Sequence, residues 1–209
     1  MAEENNALRI VEPWALLIAR TPAPAELVEA AGRTCYKSEP KGRPDAFVKM
    51  ILGKKHHSVL EHASASFRFV TDRGISHEIV RHRIASYSQE STRFVNYSEN
   101  GRMGGVQVII PSTIKPENRW IFIEGFEAAQ RYYQMALDAG EPPQNARALL
   151  PTGTKTELVM SCNLREWRHF IATRNAPDAH PDIRLLAGSV LQQLREVAAA
   201  FFPEEPSNV

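Results

Sequence analysis

The chain has 209 residues, 43% of them hydrophobic and 23% charged, with a net charge of +1. That length suits one sizeable core or two closely packed subdomains, and we expect a single domain over residues 1–209. The near-neutral charge argues against a polycation that coats nucleic acid, and no apolar run approaches the roughly 20 residues needed to cross a bilayer.

The start, MAEENNALRI, lacks the basic residues and apolar stretch of a signal peptide, so a cytoplasmic protein is expected. Cys35 and Cys162, in the contexts TCY and SCN, neither build a disulfide framework nor pair as metal ligands. Both read as reduced core thiols.

Helical spacing of Leu27, Ala30, Ala31 and Cys35 predicts an amphipathic helix over residues 24–37, opened by Pro24 and weakened by Gly32. Asp45 is expected to cap a second helix over residues 46–54, with Phe47, Met50 and Ile51 on one side. From 63 to 72, Phe67, Phe69 and Thr71 alternate with Arg68 and Val70, the period of a half-buried strand. Ser76 is read as the N-cap of a helix running to Ala85, followed by a serine-rich loop. Gly101, Gly104 and Gly105 make a turn before a strand at 106–110. A long helix between Glu117 and Gly140 should bury Trp120, Ile123, Phe126, Tyr133 and Leu137. A short helix at 142–150 and a strand at 154–161 precede a helix capped by Asn163, with Leu164, Trp167 and Ile171 facing inward. Pro181 opens a last helix carrying Ile183, Leu186, Val190, Leu194, Val197 and Phe201, ahead of a ragged PEEPSNV tail. Strands separated by helices of unequal length predict an α+β fold.

The chemistry concentrates in Arg81 to Arg93, RHRIASYSQESTR. Arginine offers a planar fork of donors that matches phosphate oxygens two at a time, and serine hydroxyls and backbone N–H groups complete such a cradle. A solvated basic face or a nucleic-acid stripe would show the same composition. Five of the seven histidines fall between residues 56 and 82, but in HHSVLEH His62 lies five positions after His57, which does not suit converging zinc ligands. Ser91 reads as a donor, because no histidine and acid stand near it with triad logic. There is no G-x-G-x-x-G, the loop by which a Rossmann fold holds a dinucleotide.

The pattern R-H-R-x-x-S-x-x-x-x-S-x-R, with HHSVLEH upstream and Arg147, Asn163-Leu164-Arg165 and Arg174 downstream, resembles the flavin-dependent thymidylate synthases. The resemblance implies an antiparallel sheet flanked by helices and a homotetramer whose active sites lie at subunit interfaces. It also implies reductive methylation of dUMP to dTMP, with 5,10-methylenetetrahydrofolate as carbon donor and NADPH-reduced FAD as hydride source. Around the flavin it places His56, Ser58 and Glu61, then Arg81, His82, Arg83 and Gln89, then Asn163, Leu164, Arg165 and His169. Around dUMP it places Glu78, Ile79, Val80 and Arg81, then Gln89, Glu90, Ser91, Thr92 and Arg93, then Arg147 and Arg174. Arg174 is the expected catalytic group, stabilising the uracil anion. Read without the resemblance, Arg165 and His169 are equally a surface pair, and Arg174 a structural ion pair. No metal, nucleic-acid or membrane partner is expected. Neither cysteine follows proline, unlike the nucleophile of the better-known thymidylate synthase, so no thiol adduct is expected. His180 and Phe94 stand where the family often has Gln and Tyr.

Overall fold

A computed structural model describes residues 8–98 and 104–203. Residues 1–7, Gly101 of the expected turn and residues 204–209 of the tail lie outside the described residues. In chain order the strands are β1 (Arg9–Ile10), β2 (Trp14–Arg20), β3 (Ser64–Asp72), β4 (Ser86–Gln89), β5 (Gln107–Val108) and β6 (Lys155–Asn163). The α-helices are α1 (Pro24–Tyr36), α2 (Pro44–Gly53), α3 (Arg73–Ile79), α4 (Arg119–Asp138), α5 (Pro143–Ala146), α6 (Leu164–Arg174) and α7 (Pro181–Ala198). Short 3-10 segments include His57–His62 and Arg147–Leu149.

Four strands form a sheet in the order β2-β3-β6-β4. Arg73, just past β3, donates to Thr154 O, whereas Ser66 Oγ lies 2.7 Å from Ser161 Oγ, so numbering rises along β3 as it falls along β6 and the pair is antiparallel. The fold is α+β, an antiparallel sheet with helices, as expected. Beside it, β1 and β5 form a two-stranded parallel sheet.

The chain divides into two compact units, and β3 and β6 each begin in one and end in the other. The first unit, Met1–Pro13, Val70–Val80 and Ser88–Leu158, has a core of Tyr97, Val106, Val108, Ile110, Phe126, Tyr133 and Ala146. Gly140, at φ 91°, takes the left-handed conformation that lets α4 end, as its position predicted.

The second unit, Trp14–Phe69, Arg81–Tyr87 and Val159–Val209, is built on aromatic packing. Phe67 and Phe69 on β3 meet Trp167 and Phe170 on α6, with Phe67 edge-on to Trp167 at 4.9 Å. Burying each such side chain contributes roughly 1.5–3 kcal/mol. Trp167 Nε1 donates to Ala65 O at 3.0 Å, so the one polar atom of the ring is satisfied in the core. This packing fixes the rotation of α6 about its axis. The helix α7 is tied to β2 through Gln193, which donates to Ala15 O and accepts from Leu17 N, both at 2.8 Å.

Several sequence expectations are corrected. On α1 the buried face is Ala25, Val28, Glu29 and Gly32, one position away from the predicted one, and Leu27 and Cys35 are exposed. Gly32 belongs to the packing, because a Cβ there would come within 2.7 Å of Phe47 Cζ on α2. Asp45 lies in the first turn of α2 rather than at its cap, and Met50 is exposed while Val48 and Leu52 are buried. The helix α3 is capped by Asp72, which accepts from Ile75 N, and ends at Ile79 instead of reaching Ala85. The serine-rich piece is a strand, β4, in place of the expected loop. On α4, Trp120 is exposed.

Candidate active site

The basic motif starts two residues after α3 ends, so its backbone turns from helix to strand within Arg81 to Ala85. Arg81 and Arg83 point outward and are exposed, and His82 between them is buried at 5% exposure. Tyr87 OH donates to His82 O at 2.7 Å and pins that turn.

In the second unit, His82 meets two residues of α6. Its Nδ1 lies 3.1 Å from Glu166 Oε1, and Arg174 Nε donates to its Nε2 at 3.1 Å. A guanidinium can only donate, so Nε2 must present a lone pair, and the ring proton sits on Nδ1 and is given to the Glu166 carboxylate. Burial holds the His82 pKa below the ordinary histidine range, opposed by its hydrogen bond to Glu166 and reinforced by the Arg174 charge. The imidazole is therefore neutral, with both nitrogens engaged inside the chain.

Glu166, Phe170 and Arg174 recur every four residues, which places them on one face of α6. Arg174 is half-buried. Glu166 was missed altogether. Its position three after the cap Asn163 was a signal, since Asn-x-x-Glu reads as a capping box, but here only Asn163 does the capping, accepting from Glu166 N at 2.9 Å. The Glu166 side chain turns to His82 instead.

His169 is exposed, its ring centroid 5.4 Å from that of His82. His82, Glu166 and His169 each bring a ligand-capable atom within 4.8 Å of the others. Two features oppose a cation there. The His82 Nε2 lone pair is used by Arg174, and any metal would stand beside the guanidinium charge.

The remaining residues of the second unit expected around a flavin lie at the start of α6 and in the 3-10 turn. Leu164 is buried, and its N–H donates to Ala63 O at 2.8 Å, so its side chain anchors the helix start. Arg165 Nη1 and Glu61 Oε1, both exposed, form an ion pair at 2.6 Å. His56 and Ser58 are exposed beside them. Between them, His57 is held below its usual pKa by burial first, then by the charges of Arg168 and Arg165. Arg81, Arg83, Arg165, His56 and His169 are all exposed, and donors of these types are chemically suited to a pyrophosphate.

The expected nucleotide residues of the first unit split into framework and outward groups. Ile79 is fully buried, while Glu78 and Val80 are half-buried at the end of α3. Gln89 Nε2 donates to Ser76 Oγ at 3.0 Å and to Thr156 Oγ1 at 3.2 Å. The Glu90 carboxylate takes Lys155 Nζ at 2.9 Å and Tyr97 OH at 2.5 Å. Burial, then Glu90, pushes the Tyr97 phenol up. Ser91 and Thr92 are half-buried in the following turn, where Ser91 O accepts from Phe94 N and Val95 N. Arg93 and Arg147 are exposed, and the Arg93 guanidinium lies 5.2 Å from the Phe94 ring centroid. Phe94 is itself exposed.

Three further residues have defined places. Cys162 is buried and its thiol is pushed up by burial and by Glu166, so it stays protonated, whereas Cys35 is exposed, not a core thiol. His180 is the N-cap of α7, its Nδ1 accepting from Asp182 N at 3.2 Å.

The model of the family described as "Thymidylate synthase complementing protein" matches residues 16–200. A flavin-dependent thymidylate synthase of Geobacter sulfurreducens is 35% identical over 198 residues, covering 89% of this chain and 84% of that protein. One from Mycobacterium avium is 37% identical over 216 residues, covering 92% and 82%. The fold matches the crystal structure of the UMP/dUMP methylase PolB from Streptomyces cacaoi bound with 5-Br dUMP, with a TM-score of 0.79, 20% identity, and 93% and 95% of the two chains covered. Sequence along nearly the whole length and fold agree, and the chain belongs to the family of flavin-dependent thymidylate synthases.

Proposed function

We propose that this chain methylates dUMP reductively to dTMP, taking the carbon from 5,10-methylenetetrahydrofolate and using no enzyme nucleophile. Bound FAD, once reduced by NADPH, supplies the hydride that completes the methyl group. Family membership supports the reaction, and one observation carries the assignment of roles: Arg174 is half-buried and meets a neutral imidazole at its Nε.

Arg174, held beside His82, stabilises the negative charge that builds on the uracil ring as its N3 proton passes to solvent, which makes C5 nucleophilic. A preorganised cation aimed at developing negative charge contributes about 10²–10³ in rate. Arg93 and Arg147, both exposed, bind the nucleotide, with Arg93 and Ser91 on its phosphate. Gln89 and Glu90 border the nucleotide as the framework behind Ser91 and Arg93, since their side chains are held by Ser76, Thr156, Lys155 and Tyr97 and the Glu90 backbone by Glu157 and Arg73. Arg81, Arg83, Arg165, Asn163 and His169 hold the FAD phosphates and ring edge, with His56, Ser58 and Glu61 along the border. The buried thiol of Cys162 takes no part.

We read the two units as one catalytic domain. The active form is proposed to be a cytoplasmic homotetramer that acts on small molecules and binds neither nucleic acid nor membrane. Exposed apolar side chains support subunit contacts: Trp14, Leu16 and Ile18 on β2, and Trp120, Ile121, Tyr132 and Met135 on α4. Among the described residues no helix is long and apolar enough to cross a membrane.

Purified protein should carry a flavin absorbance and release tritium from C5-labelled dUMP when given NADPH and methylenetetrahydrofolate. A flavin-loaded protein that reduces its cofactor yet releases no tritium would be a reductase, and the reading would fall. A colourless protein whose nucleic-acid affinity drops steeply with salt would point to the basic motif as a backbone-binding patch.

A further inference from the structure

We infer that His82 and Glu166 are positioning residues that aim Arg174. The Glu166 carboxylate takes the Nδ1 proton of His82, so the Nε2 lone pair is always available to the Arg174 Nε–H. The inference rests on the reaction proposed above and goes beyond it by assigning a role to two side chains whose polar atoms engage each other and Arg174.

The physical case is one of geometry. Arg174 is the last residue of α6, where a side chain gains least from the helix itself. An arginine there has four rotatable side-chain bonds to order, and holding it for one orientation needs an acceptor with a fixed direction. A carboxylate would supply one at the cost of offsetting the charge that the uracil anion needs. A neutral imidazole accepts the same hydrogen bond and leaves that charge in place.

The ring, in turn, is itself fixed. Phe170 contacts it edge-on at a centroid distance of 5.0 Å, Tyr87 holds the His82 carbonyl, and Glu166 sets which nitrogen carries the proton. Glu166 and Arg174 belong to the same helix, so the pair ties the motif turn to α6 at both ring nitrogens. Both contacts are buried or half-buried, which keeps water from competing for the Nε2 lone pair.

Two substitutions separate positioning from bulk structure. His82→Phe keeps a ring but removes the acceptor, while His82→Gln keeps an oxygen that can take the Arg174 proton. With FAD-loaded protein, His82→Phe should lower kcat for tritium release by about 10²-fold, the scale for a misaimed catalytic group, with little change in FAD affinity or dUMP KM. His82→Gln should restore kcat to within about tenfold of the parent. Equal losses in the two variants, an unchanged kcat in His82→Phe, or a fall in FAD affinity that tracks the loss of turnover would each overturn the inference.

A second measurement needs no variant to be active. Nitrogen-15 spectra of histidine-labelled parent protein, with His82→Gln identifying the missing signals, should show an unprotonated Nε2 and a protonated Nδ1. A protonated Nε2 overturns the hydrogen-bonded pair whatever the turnover. Parent protein with the expected tautomer but no tritium release would instead overturn the reaction, and the positioning role with it.

Discussion

Replacing Lys155 by Met tests whether the segment Gln89-Glu90-Ser91 is framework or ligand. Lys155 Nζ lies 2.9 Å from Glu90 Oε2 and 3.7 Å from Glu157 Oε2, and the Lys155 and Glu90 side chains are only 9% and 12% exposed. Without the ammonium, Glu90 keeps the Tyr97 hydroxyl and the neighbouring Arg73 guanidinium, which donates to the Glu90 carbonyl at 2.9 Å, but its carboxylate loses its bonded cation in a mostly dry site. Breaking a buried pair by removing one partner costs about 3–5 kcal/mol, and the surviving Tyr97 bond puts this case near the lower end. For a chain of this size that is a fall of about 6–12 °C in Tm. Urea titration followed by tryptophan fluorescence, with calorimetry in parallel, measures both. Adding Glu90→Gln to the Lys155→Met protein should recover at least about 1 kcal/mol, because the stranded charge is gone. If the single variant stays within about 0.5 kcal/mol of the parent, or the double variant loses the sum of the two singles, the network does not hold this segment.

Stability should also fall as pH drops below the ordinary histidine range near about 6.5. Burial depresses the folded pKa of His82, and of His57, so the unfolded chain binds protons there that the folded chain does not, and acid favours unfolding across that window. Glu166, Arg174 and His169 are the charged or titratable groups facing His82, and urea titrations from about pH 7.5 to about pH 5.5 should show a shallower slope in His82→Gln; an identical slope contradicts the reading. Asn163→Asp keeps the cap acceptor for α6 but removes the amide donor and adds charge, so Tm should hold while the Kd for FAD, read by fluorescence quenching, rises about tenfold or more, about 1.4 kcal/mol. Unchanged FAD affinity would make Asn163 a cap alone. Replacing Cys35 and Cys162 together by Ala should leave tritium release within about threefold of the parent, and a larger loss at unchanged Tm would bring back a thiol step.

The sequence carried the elements with strong periodicity and lost those whose determinants are non-local. The strand β3 and the helices α1, α6 and α7 announced themselves through spacing, although the buried face of α1 was rotated by a residue because Gly32, with no side chain to count, forms the close approach to Phe47. The strand β4 has no apolar alternation in SYSQ and takes its place at the end of the sheet through pairing with β6. Ser76 was read as a cap because serine favours caps, but its hydroxyl turns inward, donating to Arg73 O and accepting from Gln89. The outward arginines of the site were legible from their motif. The buried pair behind Arg174 was not, since His82 and Glu166 are 84 positions apart and only packing brings them together.

Turnover of Arg174→Ala bears most directly on the central claim, that a cation seated against a neutral imidazole activates the pyrimidine without a covalent adduct. Measured as tritium release from C5-labelled dUMP with saturating NADPH and methylenetetrahydrofolate, kcat should fall by about 10²–10³ while the flavin absorbance of the purified protein is retained. An Arg174→Ala protein that holds its flavin and turns over at near the parent rate would contradict it.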